Sequence, residues 1–225
     1  LATNLQLVAG VDYRNSNTAQ NYLSISDYYT SESKIGKDSA KQNQYNVYAS
    51  LLYNGKILHA DAGMRYNHHS AYGSNVTYNF NPFIFIHNEV KVFANISSAF
   101  KTPTLYQLYV PEYGNKDLKP ELATTYEGGV QYISKQHKIN ARAVIFKRDV
   151  KDAIAFFFNS DTYESLYINQ DKQKDWGIEL ETTLKLTKQL QLQLNYAHVD
   201  GKITTANGDK DTTYFNLFRR PKDNW

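Results

Sequence analysis

VKVFANISSAFKTPTLYQLYVPEYGNKDLKPELATTYEGGVQYIS, residues 90–134, is the stretch that decides the fold. It begins with an alternation of apolar and polar residues whose apolar members include Val90, Val92, Ala94 and Ile96. A connection rich in Pro and Tyr follows over residues 100–121, and a second alternation starts at Tyr126. Because successive residues of a strand point to opposite faces, each alternation predicts a strand with one apolar face. Two such strands joined by a long aromatic loop are typical of the outer rim of a β-barrel wall.

The same stretch resembles a known family. Its segments SAFKTPTLYQLY (98–109), YGN (113–115) and LKPE (118–121) are similar, in this order, to the mid-barrel region of TonB-dependent outer-membrane receptors. Among these the similarity is greatest to the vitamin B12 receptors. It is strong again at residues 175–181, with weaker echoes at 195–203 and 219–224. The resemblance implies that residues 1–225 are an internal part of the receptor barrel, without the plug domain and the closing strands.

Composition favours β structure. The 225 residues include 19 Tyr and 11 Phe but only 5 Pro, and aromatic residues suit pleated, half-buried surfaces. The mean hydropathy of −0.60 and the absence of any long apolar run exclude a protein that spans a membrane with helices. The sequence of a membrane β-barrel has a polar mean hydropathy, because only alternate residues face lipid. The sequence begins at Leu1 rather than Met, as expected for a piece of a longer protein.

Alternation of the same kind recurs along the chain and predicts roughly ten strands. These predicted strands cover residues 4–13, 45–53, 58–66, 76–86, 90–98, 126–132, 139–145, 167–186, 190–196 and 214–225. The seventh is expected to continue towards Phe158. The predicted fold is an all-β, antiparallel up-and-down meander that forms part of a larger transmembrane β-barrel.

The predicted links between strands alternate in length. Short links fall near residues 54, 88, 136 and 188, and longer ones over 14–42, 67–75, 100–120, 149–163 and 203–212. Outer-membrane barrels have short turns at the periplasmic end and long loops at the extracellular end. A soluble sandwich would more often mix its link lengths through Greek-key crossings. Asn54-Gly55 is the strongest turn signal, because both residues tolerate a positive φ.

Charged residues occupy the face opposite the apolar one. Since a charge at the lipid midplane costs about 2–4 kcal/mol, these residues are expected to point into the barrel. The resemblance implies that four of them contact a plug domain, namely Glu127, Arg142, Glu179 and Glu181. The alternative is that they pair with each other or with lumen water, since exposed pairs contribute little.

The aromatic loop residues are the candidate ligand site. Tyr offers a rigid apolar face and a hydroxyl, which suits a large amphipathic ligand. If the barrel is correct, residues of two loops gather above its lumen, namely Tyr106, Tyr109, Tyr113, Asn115, Tyr28 and Tyr29. A loop cluster that packs only against itself is the alternative.

No catalytic, cofactor or metal site is predicted. The sequence contains no Gly-rich phosphate loop, no HExxH motif and no Cys, and a net charge of +3 does not favour nucleic acid. The adjacent His68 and His69 would point to opposite sides of an extended chain.

The resemblance implies a nutrient receptor in the outer membrane of a Gram-negative bacterium. Its implied partners are membrane lipid, the plug domain, TonB and a small molecule, with a cobalamin-type corrinoid favoured over a ferric siderophore. Two other classes remain open: a soluble all-β carbohydrate-binding module that uses the same aromatic residues, and an outer-membrane barrel enzyme, which is disfavoured because no nucleophile–base pair stands out.

Overall fold

The computed structural model describes residues 4–136, 138–158, 162–207, 210–214 and 221–225. Its elements are β1 (Leu5–Asn17), β2 (Gln20–Ile25), β3 (Thr30–Ile35), β4 (Lys41–Asn54), β5 (Leu58–His69), β6 (Gly73–His87), β7 (Val90–Lys101), α1 (Leu105–Tyr109), β8 (Glu121–Ile133), β9 (Ile139–Phe158), β10 (Ser165–Lys185), β11 (Gln191–Asn207), β12 (Lys210–Tyr214) and β13 (Asp223–Asn224). None of the helices in the described part of the chain has the length and apolar character to cross a membrane.

Within the described residues, the main sheet has 11 strands in the order β1-β4-β5-β6-β7-β8-β9-β10-β11-β12, with β13 also paired to β11. Every pairing between these strands is antiparallel, and each strand from β4 to β12 follows its neighbour in the chain. The strands β2 and β3 form a separate hairpin between β1 and β4. The predicted antiparallel meander is therefore confirmed, and the sheet is unclosed.

One face of the sheet is apolar. Along one row of paired residues, Leu7 lies opposite Leu51, Leu51 opposite Ala62 and Ala62 opposite Phe80. Many side chains of this face are exposed; Met64, for example, has 62% of its surface accessible. The hydrophobic residues predicted to share a face do so, because cross-strand partners in an antiparallel sheet point to the same side.

The opposite face is polar, and its side chains form a hydrogen-bonded ladder across the strands. Asp12 accepts from the side chains of Asn46 and Arg65. Asp61 on β5 accepts from Ser50 and from Asn81, the latter at 3.3 Å. This ladder runs across the strands, and donors on neighbouring strands hold the carboxylates of Asp12 and Asp61.

The chain between β1 and β4 differs from the predicted long loop over residues 14–42. The strand β1 continues to Asn17, and β2 and β3 form a hairpin within the connection. The periodicity is hidden here because the half-buried face of this hairpin carries mostly polar residues such as Ser24, Ser31 and Ser33, whereas the exposed face carries Leu23 and Ile25.

Several links predicted as long are short. The link over 67–75 contains just residues 70–72, and strand pairing between β9 and β10 reaches Phe158 and Ser165. The expected link over 203–212 is largely strand, although Gly208 lies outside the described residues, as do residues 215–220 of the expected last strand. The pairing of the strands continues through polar sequence because main-chain hydrogen bonds do not require an apolar face.

The turn after β4 also differs in detail. Neither Asn54 nor Gly55 has a positive φ, and the N–H of Gly55 donates a 3.0 Å hydrogen bond to the main-chain oxygen of Leu58. The position of the turn was predicted correctly, but its two-residue geometry was wrong, since residues 55–57 form the link.

Candidate functional site

The connection between β7 and β8 is a folded loop that begins with a capped helical turn. Thr104 lies at the N-cap of α1, and its side chain accepts a hydrogen bond from the N–H of Gln107 at 3.2 Å. The side chain of Gln107 accepts from the N–H of Thr104 in return, at 2.9 Å. This capping box satisfies main-chain donors that an isolated helical turn would leave without partners.

The loop has a small core of its own. Five of its side chains are buried, namely Pro103, Leu105, Leu108, Val110 and Leu118. Gly114 closes the loop, because its N–H donates to the main-chain oxygen of Val110 at 2.8 Å and a Cβ there would lie 2.6 Å from that oxygen. The loop is therefore held in one conformation by apolar burial and close main-chain packing.

One main-chain hydrogen bond and the side-chain amides of two asparagines attach this loop to β10. The N–H of Tyr167 donates to the oxygen of Tyr113 at 3.1 Å, and the side-chain amide of Asn115 donates to the oxygen of Tyr167 at 2.8 Å. Asn169 accepts from the N–H of Lys119 at 2.8 Å and donates back to its oxygen at 2.9 Å. These bonds fix the loop beside the ends of β9 and β10.

Four aromatic rings meet where the loop contacts these strands. Tyr106 packs edge-on against Tyr167 with ring centroids 6.4 Å apart, and Tyr167 packs against Phe156 at 5.3 Å. Phe156 in turn contacts Tyr113 at 5.7 Å. We name Tyr106, Tyr113, Phe156 and Tyr167 the aromatic cluster.

Much of the ring surface of the aromatic cluster is exposed to solvent. Tyr106, Tyr113 and Phe156 remain 51%, 39% and 53% exposed, although each ring contacts another. Edge-on packing stabilises such pairs and leaves ring faces free, so the cluster presents rigid apolar surface together with phenolic hydroxyls. That arrangement can bind a large ligand that is apolar in part.

The other predicted ligand residues are not part of the aromatic cluster. Tyr109 is half-buried beside Lys116, whose ammonium lies 5.4 Å from the ring centroid. Tyr109 also lies near Tyr72 in the β5–β6 link. The pKa of the Tyr72 phenol is raised, chiefly because the group is partly buried and secondly because Tyr109 lies near it. Asn115 serves the loop itself, since its side chain also accepts from the N–H of Asp117 at 2.9 Å.

Tyr28 and Tyr29 lie at the tip of the β2–β3 hairpin and are 97% and 64% exposed. Ser26 holds this tip, because its hydroxyl accepts from the N–H of Tyr29 at 3.1 Å. Among the described residues, no ring contact joins either tyrosine to the aromatic cluster.

Sequence reasoning missed Phe156 and Tyr167 as members of the site. They are paired directly across β9 and β10, so that the two rings lie side by side. The run Phe156, Phe157 and Phe158 marks an aromatic-rich strand end in the sequence. It does not reveal the contact with a loop that lies more than forty residues earlier in the chain.

The predicted lumen residues all lie on the polar face. Arg142 and Glu181 are cross-strand partners and form an ion pair of 3.5 Å, and the Arg142 guanidinium lies 5.2 Å from the centroid of the Phe93 ring. Glu127 and Glu179 are half-buried and line a groove of about 450 Å³ together with Arg148. Within the described part of the chain, neither of these two glutamates forms an ion pair.

Arg148 is engaged by a different carboxylate. Its guanidinium donates to both oxygens of Asp175, whose side chain is fully buried. The described residues contain no group of three or more His, Asp or Glu that could hold a metal ion.

A model of the family described as "TonB dependent receptor-like, beta-barrel" matches residues 1–224. The chain belongs to the TonB-dependent receptor β-barrel family. This family consists of receptors and transporters, and its barrel agrees with the antiparallel meander described above.

Curated relatives in this family include two proteins named vitamin B12 transporter BtuB. That of Vibrio vulnificus is 30% identical over 79% of this chain and 27% of its own length. That of Photobacterium profundum is 29% identical over 87% of this chain and 32% of its own length. The chain therefore spans less than a third of these relatives.

Solved structures of the family share the fold. The copper transporter OprC superposes with a TM-score of 0.72 at 17% identity, over 89% of this chain and 36% of its own. The siderophore receptor PirA of Pseudomonas aeruginosa superposes with a TM-score of 0.68 at 19% identity, over 94% of this chain and 42% of its own.

Proposed function

We propose that this chain forms part of the barrel wall of an outer-membrane receptor for TonB-dependent uptake of a scarce nutrient. The apolar face, with exposed residues such as Val11, Met64 and Ile145, suits contact with lipid acyl chains. The polar face then lines the lumen. Membership of the family supports this arrangement, and the location that we propose is the outer membrane of a Gram-negative bacterium.

The ligand that we propose is a corrinoid of the cobalamin type. The observation that carries this proposal is the similarity, near 30% identity, to two curated vitamin B12 transporters over most of this chain. The aromatic cluster supports it, because a corrinoid is a large ring system with an apolar periphery that can pack on Tyr and Phe rings.

A ferric siderophore is the second candidate ligand. It is supported by the fold shared with the siderophore receptor PirA and with a ferric enterobactin receptor, at 17–19% identity. Identities this low support a shared fold but not a shared ligand, so we prefer the corrinoid.

Ligand binding to the complete receptor tests this proposal. The double variant Tyr106→Ala and Tyr113→Ala removes two exposed rings of the aromatic cluster. A second double variant, Tyr109→Ala and Tyr113→Ala, tests whether the half-buried Tyr109 also contributes to ligand binding. Full burial of an aromatic ring is worth about 1.5–3 kcal/mol, so even partial contact predicts a rise in the Kd of at least about tenfold. Equilibrium titration with cyanocobalamin, and separately with ferric enterobactin, measures the change.

Two tyrosines of the apolar face provide the matched control. Tyr78 and Tyr132 lie away from the loop, so the variant Tyr78→Ala and Tyr132→Ala is expected to keep the wild-type Kd. Tight binding of ferric enterobactin and none of cyanocobalamin would replace the proposed ligand. An unchanged Kd in the variants of the aromatic cluster would indicate that the ligand binds to other loops, such as the Tyr28–Tyr29 tip.

We also propose that the glutamates of the polar face contact a plug domain that couples the receptor to TonB. Glu127 and Glu179 support this, because they are half-buried carboxylates on the proposed lumen side that form no ion pair with the described side chains. A plug that supplies Arg or Lys side chains, or main-chain N–H groups, would provide partners for them. Arg142 and Glu181 already pair with each other and would contribute less.

A further inference from the structure

A group of aromatic rings lies on the polar face, at the end of the sheet that carries the short turns. Phe83 on β6 stacks flat on His59 of β5, with ring centroids 4.6 Å apart and planes 3° apart. Phe85 packs edge-on against both rings, at 5.8 Å from each. Phe93 on β7 lies directly across the sheet from Phe83. We name Phe83, Phe85 and Phe93 the turn-end rings.

The turn-end rings lie far from the aromatic cluster but on the same face. Phe156 of the cluster and Arg142, next to the rings, are an even number of residues apart on β9, whose register with β10 does not shift. At about 3.3 Å per residue, this stretch of β9 spans on the order of 45 Å. In the proposed orientation the short turns are periplasmic, so the turn-end rings lie where the lumen opens to the periplasm.

Two cations lie beside the turn-end rings. The Lys91 ammonium is 5.3 Å from the ring centroid of Phe83 and 5.5 Å from that of Phe93, and the Arg142 guanidinium is 5.2 Å from the latter. Arg142 pairs with Glu181 at 3.5 Å, whereas Lys91 forms no ion pair with any carboxylate of the described residues. Positive charge is therefore in excess beside the rings, which favours an anionic group there.

A groove of about 240 Å³ extends from Arg142 across β8 to β11 on the same face, and we name it the amide groove. Much of its lining consists of carboxamide side chains, namely Gln131, Asn140, Gln193 and Asn195. Gln131 is the cross-strand partner of Arg142, so the amide groove continues directly from the cations. Because a carboxamide both donates and accepts hydrogen bonds, this groove suits a ligand that carries amides of its own.

We propose that the turn-end rings, the two cations and the amide groove form a second binding site for the nutrient, which it occupies as it leaves the lumen. This inference rests on the proposed function. The ligand has a flat conjugated ring that packs on Phe85, an anionic group that binds Lys91 and Arg142, and carboxamides that bind the amide groove. Cobalamin has all three features, since its corrin ring carries carboxamide side chains and its nucleotide is attached through a phosphodiester.

The plug domain is the alternative occupant of this site. Glu127 and Glu179, which we propose to contact the plug, lie nearer the middle of their strands and attract cations. The turn-end rings lie beside an excess of positive charge and attract anions, so charge complementarity favours a different occupant there. Phe85 also remains 45% exposed, which leaves ring surface for a ligand.

Photocrosslinking in intact cells that make the complete receptor tests this inference. The photoreactive residue p-benzoylphenylalanine replaces Phe85, and in a matched control it replaces Ile84, the adjacent residue on the apolar face. Radiolabelled cyanocobalamin is expected to crosslink at position 85 and not at position 84, because successive residues of a strand point to opposite faces. A protonophore, which stops energised uptake, is expected to abolish the crosslink at position 85.

Uptake measurements on charge variants provide a second test. Lys91→Gln is expected to lower the maximal uptake rate about fivefold, since the leaving nutrient loses a charge-assisted hydrogen bond. The Kd for cyanocobalamin at the outer face should keep its wild-type value, because the aromatic cluster lies at the other end of the strands. Lys91→Arg retains the charge and is expected to restore uptake. Lys135→Gln, which removes one exposed charge near the same end of the sheet, is the control and should change neither quantity.

Several outcomes would overturn the inference. Crosslinking at position 85 to the plug alone, with none to the nutrient, would assign the turn-end rings to the plug. A wild-type uptake rate in Lys91→Gln would remove the proposed anion contact. Crosslinking of labelled ferric enterobactin in place of cyanocobalamin would support the site with the second candidate nutrient, which is also anionic and carries aromatic rings and amides.

The outcome can be separated from that of the proposed function. A wild-type receptor that takes up neither cyanocobalamin nor ferric enterobactin would refute the proposed function. Wild-type uptake of either nutrient, without its crosslinking at position 85, would refute the second binding site alone.

Discussion

The side-chain amide of Asn115 donates a 2.8 Å hydrogen bond to the main-chain oxygen of Tyr167. Since Tyr167 also donates from its N–H to the oxygen of Tyr113, one short segment of β10 is bonded to the loop twice. This relationship places Tyr113 and Tyr106 against Phe156 and Tyr167, so the aromatic cluster depends on a polar contact outside its rings.

The variant Asn115→Ala tests that dependence. It leaves the oxygen of Tyr167 without this donor, which should destabilise the loop by about 1–3 kcal/mol. Hydrogen exchange of the amides of residues 105–114 is expected to quicken, and the Kd for the nutrient is expected to rise. Lys119→Ala is the control, because Lys119 contacts Asn169 through its main chain alone, and it should match the wild type in both measurements. Unchanged exchange in Asn115→Ala would show that the apolar core holds the loop without this bond.

Two adjacent glycines of β8 are expected to respond oppositely to alanine. A Cβ at Gly129 would lie 2.6 Å from the oxygen of Ala143 and 2.5 Å from the Phe93 ring, whereas one at Gly128 meets nothing within 4 Å. We expect Gly129→Ala to lower the free energy of unfolding by about 1–3 kcal/mol, because the sheet must shift to admit the methyl group. Gly128→Ala should be neutral or stabilising by up to about 1 kcal/mol. Guanidinium unfolding in phospholipid vesicles compares the two, and equal effects would contradict the assignment of the faces.

Lysine substitutions at the centre of the wall test the proposed contact with lipid. Leu180 pairs with Ala143, midway between Ile139 and Lys147, on the apolar face. Leu180→Lys is expected to cost about 2–4 kcal/mol in vesicles, as for a charge at the bilayer midplane. Thr183→Lys places the same charge on the polar face beside Gln193 and should cost less than about 1 kcal/mol. Equal costs for the two substitutions would argue against a membrane-spanning sheet.

Neutral glutamines at Glu127 and Glu179 test the proposed plug contact. In the complete receptor, the double variant Glu127→Gln and Glu179→Gln should release the plug at a lower urea concentration, because charge-assisted hydrogen bonds become neutral ones. A fluorophore on the plug reports this step separately from unfolding of the barrel. Glu32→Gln, on the separate β2–β3 hairpin, is the control and should leave the midpoint unchanged. Identical midpoints for the double variant and the wild type would assign these carboxylates to lumen water.

Much of the wall could be predicted from the sequence. The alternation from Val90 to Ile96 identifies a strand and its apolar side, because the direction of a side chain in a strand depends on position alone. Short turns close the same end of the sheet as predicted, and the order of strands follows the chain. The other end was harder to predict, since β9 and β10 continue through polar sequence where main-chain pairing leaves no hydrophobic signal.

The sequence by itself determined the antiparallel meander, its apolar and polar faces, and the placement of Glu127, Arg142, Glu179 and Glu181 on the polar one, because alternation is a local property of an extended chain. Only the tertiary structure decided which rings join Tyr106 and Tyr113, and that the Lys91 ammonium lies beside the rings of Phe83 and Phe93. Both depend on the register between strands and on hydrogen bonds such as that from Asn115 to Tyr167, and these link residues that are far apart in the chain.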